Sequence, residues 1–251
     1  MKIFLLGATG NAGRRILRLA LQRAHEVTAF VRDETKLLGL VDRPPIPPNL
    51  HVSIGDMSKS AGIARVMVGH DVAINAAGNV TEGAAYTELV ETVVASTIES
   101  LGEGGRLWLF GGAAVLNVPG THIMGVDLPK VPKVYEAHRT NLDALRRSPL
   151  DWSMLCPGPM IESENGKPTG NLRLSVDEWP VARPAYTYVL PRLALAFALK
   201  QKMPELTISY EDAAEVILDN LSKGGRFSRR RVGVALPAGL RNYKDKADLP
   251  R

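Results

Sequence analysis

Near the start of the chain, Gly7-Ala8-Thr9-Gly10-Asn11-Ala12-Gly13 stands behind a short apolar run, Lys2–Leu6, and ahead of an amphipathic stretch. In that stretch Ile16, Leu17, Ala20, Leu21 and Ala24 recur at the three-and-four spacing of one helix face. Between a buried strand and a helix, this glycine spacing suits a phosphate. The first glycine allows a tight turn, the second lets the backbone approach a pyrophosphate, and the third lets the helix pack close to the strand. The helix start adds free N–H groups and a partial positive charge. A dinucleotide at this turn is the expectation, against the alternative that three glycines make an ordinary strand-to-helix turn.

The second apolar run ends Ala29-Phe30-Val31-Arg32-Asp33. A carboxylate here holds the ribose hydroxyls of NAD, whereas an arginine accommodates the extra phosphate of NADP. Arg32 comes first after the run, and its planar fork matches a phosphate as Asp33 cannot. NADPH is therefore expected ahead of NADH, with an ordinary surface cation as the other reading of Arg32.

The elements that must position these residues alternate. Lys2–Leu6, Glu26–Val31, 52–54, Val72–Asn75 and Arg106–Phe110 are short continuous apolar runs, as expected of strands covered on both faces. Helical patterns at 12–24, 58–68 and 82–101 separate them. Strand and helix in alternation predict right-handed crossovers and a parallel sheet. The Pro-rich segment 44–48 is read as a rigid surface connection, and 111–132 as a long loop. A helix at 134–147 and a strand at 150–155 follow, closed by Pro157-Gly158-Pro159. Residues 161–183 are polar and turn-rich, and with their flanks make 157–205 a candidate substrate lid. A helix at 190–200, a strand at 206–209, a helix at 210–221 and a strand at 232–236 complete the pattern before a loose tail from 239. The expected fold class is α/β: one doubly wound Rossmann-type domain over 1–251, with a small C-terminal substrate-binding or lid region.

Composition agrees with a globular chain: 251 residues, 45% apolar and 23% charged. The single Cys156 cannot form an internal disulfide, which favours a reducing cytoplasm. The first apolar run stops at Gly7, too short for a secretory signal, and no later run is long enough to span a bilayer. The net charge is +5, and Arg226, Arg229, Arg230 and Arg231 cluster without aromatic interleaving. A solvated face is expected there rather than a nucleic-acid surface. His122 and His138 have no metal-ligand spacing with Cys156, so no metal is expected.

Several motifs together resemble the atypical short-chain dehydrogenase/reductase group, which includes the NmrA-like proteins and the flavin- and biliverdin-reductase type of NAD(P)H-binding proteins. They are the glycine turn, Phe30-Val31-Arg32-Asp33, Gly55-Asp56, Asn75-Ala76-Ala77-Gly78, Ser148 to Ser153, Cys156-Pro157-Gly158, and Ile208-Ser209-Tyr210-Glu211-Asp212-Ala213-Ala214. The resemblance covers about residues 1–222. It implies that Asp56, with Met57, sits near the adenine, and that Asn75, Ala76, Ala77, Gly78 and Pro157 lie along the cofactor. Each has a plainer alternative: Asp56 as a helix cap, Asn75 as a turn residue, and Pro157-Gly158 as a strand terminator.

In members of that superfamily a tyrosine, a lysine four residues later and an upstream serine carry the reaction. Here Tyr135-Glu136-Ala137-His138-Arg139 places Arg139 where lysine would stand, while counting back from Ser148 puts His138 nearer that slot. Phe110-Gly111-Gly112-Ala113-Ala114 offers no serine, and Thr121 is the hydroxyl of the loop that follows. A neutral tyrosine is already the form that donates a proton, so reduction is chemically easier than oxidation. The expected activity is NADPH-dependent reduction of a small carbonyl, quinone or flavin-like acceptor, with Tyr135 as acid or as substrate wall. The alternative is an NmrA-like redox sensor that binds the dinucleotide without turnover. Trp179, Tyr186 and Tyr188 are candidates to stack on a flat substrate or to anchor the lid. A homo-oligomer is compatible with all of this.

Overall fold

The computed structural model describes residues 1–40, 46–188 and 192–243, without the side chains of Tyr186, Tyr188 and Arg192. Among the described residues ten strands form: β1 Lys2–Leu6, β2 Glu26–Val31, β3 Leu50–Ile54, β4 Val72–Asn75, β5 Arg106–Phe110, β6 Asp151–Cys156, β7 Met160–Ile161, β8 Arg173–Val176, β9 Ile208–Ser209 and β10 Arg230–Ala235. Eight of them make one sheet in the order β3-β2-β1-β4-β5-β6-β10-β8. Every pair is parallel except β8 with β10. The order reverses between β1 and β4, the point at which doubly wound sheets open a ligand crevice beyond the strand ends. This is a Rossmann-type sheet.

Continuous apolarity in the strands is explained by two buried faces. Phe4 and Leu6 of β1 pack on one side with Ile63 and Met67 of α3 (Ser60–Met67), Val90 and Val93 of α4 (Ala84–Leu101), and Leu142 and Leu145 of α5 (Glu136–Arg147). Ile3 and Leu5 face the other side, against Ile16, Leu17 and Ala20 of α1 (Asn11–Gln22) and Ala213 and Ile217 of α7 (Tyr210–Leu218). The remaining α-helices among the described residues are short α2 (Glu34–Leu38) and α6 (Arg192–Leu206).

The second half departs from the expectations in three places. Residues 161–183 contain β8, which adds an antiparallel edge to β10. All four of its residues are only half-buried, so its sequence reads as polar. The helix expected to stop at 200 runs through Pro204 to Leu206, which leaves only β9 of the strand expected from 206.

The C-terminal arginine cluster is a solvated face at Arg226, Arg229 and Arg230, which are exposed, but not at Arg231, which is buried. Arg231 is 4% exposed and donates from Nε to Asp177 Oδ1 at 3.2 Å and from Nη1 to Asn117 Oδ1 at 3.1 Å. Arg230 pairs with Asp177 at 2.9 Å, and Arg229 Nη1 donates to Leu150 O at 2.9 Å. These side chains tie β10 to its neighbours, a use that sequence clustering cannot distinguish from exposure. Two of the prolines of segment 44–48, Pro44 and Pro45, lie outside the described residues, as do positions 190 and 191 of the expected helix and 244–251 of the tail. Before that, Asn242 N donates to Pro204 O at 2.9 Å. Among the described residues no helix is long and apolar enough to cross a membrane.

Candidate active site

The C-terminal ends of β1, β2, β4, β5 and β6 open into one cleft of about 2380 Å³. A single small-molecule pocket holds roughly 300–1,000 Å³, so this cleft has room for an extended dinucleotide and a second molecule. Gly7, Thr9, Gly10, Asn11 and Ala12 line it where α1 begins. Gly7 has φ +77°, and a Cβ there would lie 2.6 Å from the carbonyl carbon of Ala76. Its glycine is thus required by the close approach of the β4 end as well as by the turn. Gly13 stands behind the wall, where a Cβ would fall 2.0 Å from Gly7 O and push α1 off the sheet. Gly10 caps α1 with backbone alone, and no acidic side chain occupies the first turn. The helix start is therefore free to receive an anion, and the turn fits a pyrophosphate.

Arg32 is exposed at the end of β2 and lines the cleft beside Lys36. Asp33, the alternative ribose ligand, is engaged as the cap of α2: its Oδ1 accepts from Lys36 N at 3.1 Å. Across the cleft, Asp56 Oδ1 accepts from Ser58 N at 3.0 Å, and this bond, helped by the nearby Lys59 and Arg32 charges, holds its carboxyl below the usual range. Met57 lines the same end. Asn75 is 2% exposed and lies under the cleft floor, its Oδ1 accepting from Ala77 N at 3.0 Å. It holds the turn that presents Ala76, Ala77 and Gly78 to the cleft.

At the opposite end stand Tyr135, His138 and Pro157. Tyr135 lies on the 3₁₀ turn that leads into α5, and its ring stacks on His138 with centroids 6.2 Å apart and planes 11° from parallel. Burial pushes the Tyr135 hydroxyl above its ordinary pKa. Burial also lowers His138 to about 4, so the imidazole is neutral near pH 7. Pro157 O accepts from Ala113 N at 2.7 Å and fixes the strand ends of β5 and β6 together. Arg139 is turned away from the lining residues and pairs with Asp127 and, at 3.2 Å, with Glu136. Thr121 closes its own turn by donating to Val118 O at 2.9 Å. Cys156 is fully buried and its thiol is pushed up to about 12, which makes it packing rather than a nucleophile. Trp179 is buried, with Nε1 donating to Ala113 O at 3.3 Å. The tyrosines 186 and 188 fall outside the described side chains. Among the described residues there is no cluster of His, Cys, Asp and Glu able to hold a metal.

Residues 7–223 match the model of a family described as NAD(P)H-binding. The chain belongs to that NAD(P)H-binding family. It is 28% identical over 240 residues to the uncharacterized protein YwnB of Bacillus subtilis (strain 168), spanning 91% of this chain and 97% of that one. Two solved structures share the fold. One is a candidate NADH-flavin reductase from Streptococcus pneumoniae TIGR4, with TM-score 0.67, 23% identity, and 94% and 100% of the two chains covered. The other is a short-chain dehydrogenase/reductase from Veillonella parvula DSM 2008 in complex with NADP, with TM-score 0.67, 15% identity and 98% of each chain covered.

Within this NAD(P)H-binding chain, three features of the cleft have no signal in the glycine motif. Tyr86 of α4 is 4% exposed, donates to Phe110 O at 3.1 Å, and sets its ring edge against His138 at 5.8 Å. Its only signal is an aromatic on the buried face of α4. Gly112 lines the cleft where a Cβ would meet His138 Nε2 at 3.0 Å. Leu193, Phe197 and Met203 of α6 add an apolar wall, with Phe197 57% exposed. The late Ser209 to Asp212 motif is a helix cap: Ser209 Oγ accepts from Asp212 N and Asp212 Oδ2 from Ser209 N, both at 2.9 Å. Asp212 also accepts from Thr169 N at 2.6 Å, tying the 162–169 loop to α7.

Proposed function

We propose that the chain is an NADPH-dependent reductase acting on a small apolar carbonyl, quinone or flavin-like acceptor. The observation that carries this reading is the continuity of one cleft from the glycine turn to the Tyr135–His138 stack, walled beyond it by α6. The bound dinucleotide supplies a hydride, and the chain's own residues have to hold, orient and shield it. The α1 start takes the pyrophosphate. Arg32 and Lys36 take the 2′-phosphate, because Asp33 is committed to capping α2. The apolar wall excludes water and receives a flat acceptor. Tyr135, kept protonated by burial, donates its proton to the reduced oxygen. Cytoplasmic residence fits the lone, buried and inert thiol.

A second reading, a dinucleotide-binding redox sensor, is favoured by one specific observation. No serine stands at the β5 end, and Arg139 is held by Asp127 and Glu136. NADPH consumption, followed by absorbance across flavins, quinones, aldehydes and ketones with binding read by NADPH fluorescence, separates the two. Turnover of any class supports the reductase. Tight binding with no turnover across the panel overturns it in favour of the sensor.

A further inference from the structure

His138 is the buried polar side chain of the cleft that the folded chain leaves unused. It is 7% exposed, stacked on Tyr135 at 6.2 Å and perpendicular to the Tyr86 ring at 5.8 Å. Its Nδ1 is sealed from solvent and has no hydrogen-bond partner among the described residues. Its Nε2 edge lies over Gly112, where a Cβ would come within 3.0 Å, and both residues line the cleft. A neutral imidazole carries one N–H and one bare nitrogen. A buried N–H without an acceptor is the costlier of the two orphans. The proton therefore belongs on Nε2, at the edge beside Gly112.

We infer that His138 is a neutral hydrogen-bond donor to the acceptor's carbonyl oxygen, through Nε2–H, at the reacting end of the cleft. The inference rests on the reductase reading and names the oxygen-bearing acceptors, ketone, aldehyde or quinone, as its substrate class. The ring is suited to this because it keeps its proton throughout. As hydride reaches the carbonyl carbon, the π pair moves onto oxygen. The Tyr135 hydroxyl gives up its proton to that oxygen and regains one from solvent. Nε2–H only stabilises the developing negative charge, as a neutral imidazole does when it polarises a carbonyl. The rings of Tyr135 and Tyr86 pack against the imidazole, and burial is what lowers its pKa. Gly112 leaves the space that the oxygen needs.

The test uses the full chain with NADP⁺, which cannot give hydride, and acetophenone or a benzoquinone as probe, with binding measured by calorimetry. His138→Phe keeps the ring stack and removes the donor; His138→Gln restores one. Probe affinity is expected to fall about tenfold or more in the Phe variant and to recover in part in the Gln variant, with NADP⁺ affinity within about twofold in both. Nitrogen-15 NMR of the wild-type ring is expected to show the Nε2–H tautomer with no protonation above about pH 5. The inference is overturned by an Nδ1–H tautomer, by protonation near pH 6.5, or by equal probe binding in wild type and His138→Phe. A wild type that binds neither probe overturns it as well. Should His138-dependent binding hold while NADPH is never consumed, the reductase reading fails and only the role of Nε2–H as a donor to a bound carbonyl oxygen stands.

Discussion

The two ends of the cleft are built by different means. At the end proposed to take the pyrophosphate, main chain does the work: a turn with φ +77° at Gly7, a helix start capped by Gly10, and a glycine at 13 that lets α1 lie on β1. At the end proposed to react, residues from distant segments line the cleft together: Tyr86 from α4, Gly112 after β5, Tyr135 and His138 at α5, and Phe197 from α6. A backbone site depends on local residue types at fixed spacing. A side-chain site depends on which helices the sheet brings together, so its residues are scattered and its chemistry can change with one substitution.

The contrast can be broken most sharply at the reacting end. Tyr135→Phe is expected to lower kcat by about 10²–10⁴ while leaving NADPH binding intact, as for loss of a general acid. Single-turnover kinetics check this, and an unchanged kcat would reduce Tyr135 to a wall.

The His138 environment gives a stability effect that sharpens the same comparison. The ordinary histidine pKa is 6.5 and the buried ring sits at about 4, so the unfolded chain takes the proton first. Stability is then full above about pH 6.5 and falls as pH drops towards 4, by at most about 3.5 kcal/mol. Urea melts across this range should show the slope in wild type and lose it in His138→Phe. A wild-type slope absent over pH 4–6.5 would mean that the ring is solvated.

At the pyrophosphate end the prediction is structural. Gly13→Ala places a Cβ 2.0 Å from Gly7 O, so α1 must move. A loss of about 2–3 kcal/mol is expected with dinucleotide binding impaired, read by urea denaturation and NADPH fluorescence. Binding and stability both at wild-type levels would show that α1 adjusts freely.

The smallest effect expected is at Arg32. Arg32→Ala should weaken NADPH by about ten- to a hundredfold, or roughly 1.5–3 kcal/mol, and NADH by far less. Equal weakening of the two would remove the case for NADPH.

The first half of the fold was legible because its signals are local. A strand buried on both faces has to be continuously apolar, and a crossover helix has to be amphipathic, so β1, β2, α1 and β4 can be read in order. The edge strand β8 could not, since half-exposed Arg173 and Ser175 look like loop residues until β10 supplies their partner. Likewise Arg231 looked solvated with its three neighbours because its acceptors, Asp177 and Asn117, lie far away in sequence. Arg139 sits four residues after Tyr135, as a helix-face argument requires, yet Asp127 draws its guanidinium elsewhere.

By itself, then, the sequence determined the glycine turn, the strand-helix alternation and the cation at the end of β2, because each follows from backbone sterics or from a short-range pattern. Only the tertiary structure decided that Asp33 is spent as a helix cap, that Arg139 is tied up by acids, and that His138 lies neutral between two tyrosines with one nitrogen unpartnered. The physical reason is that desolvation and partner choice belong to the packed neighbourhood, which residue spacing along a chain does not specify.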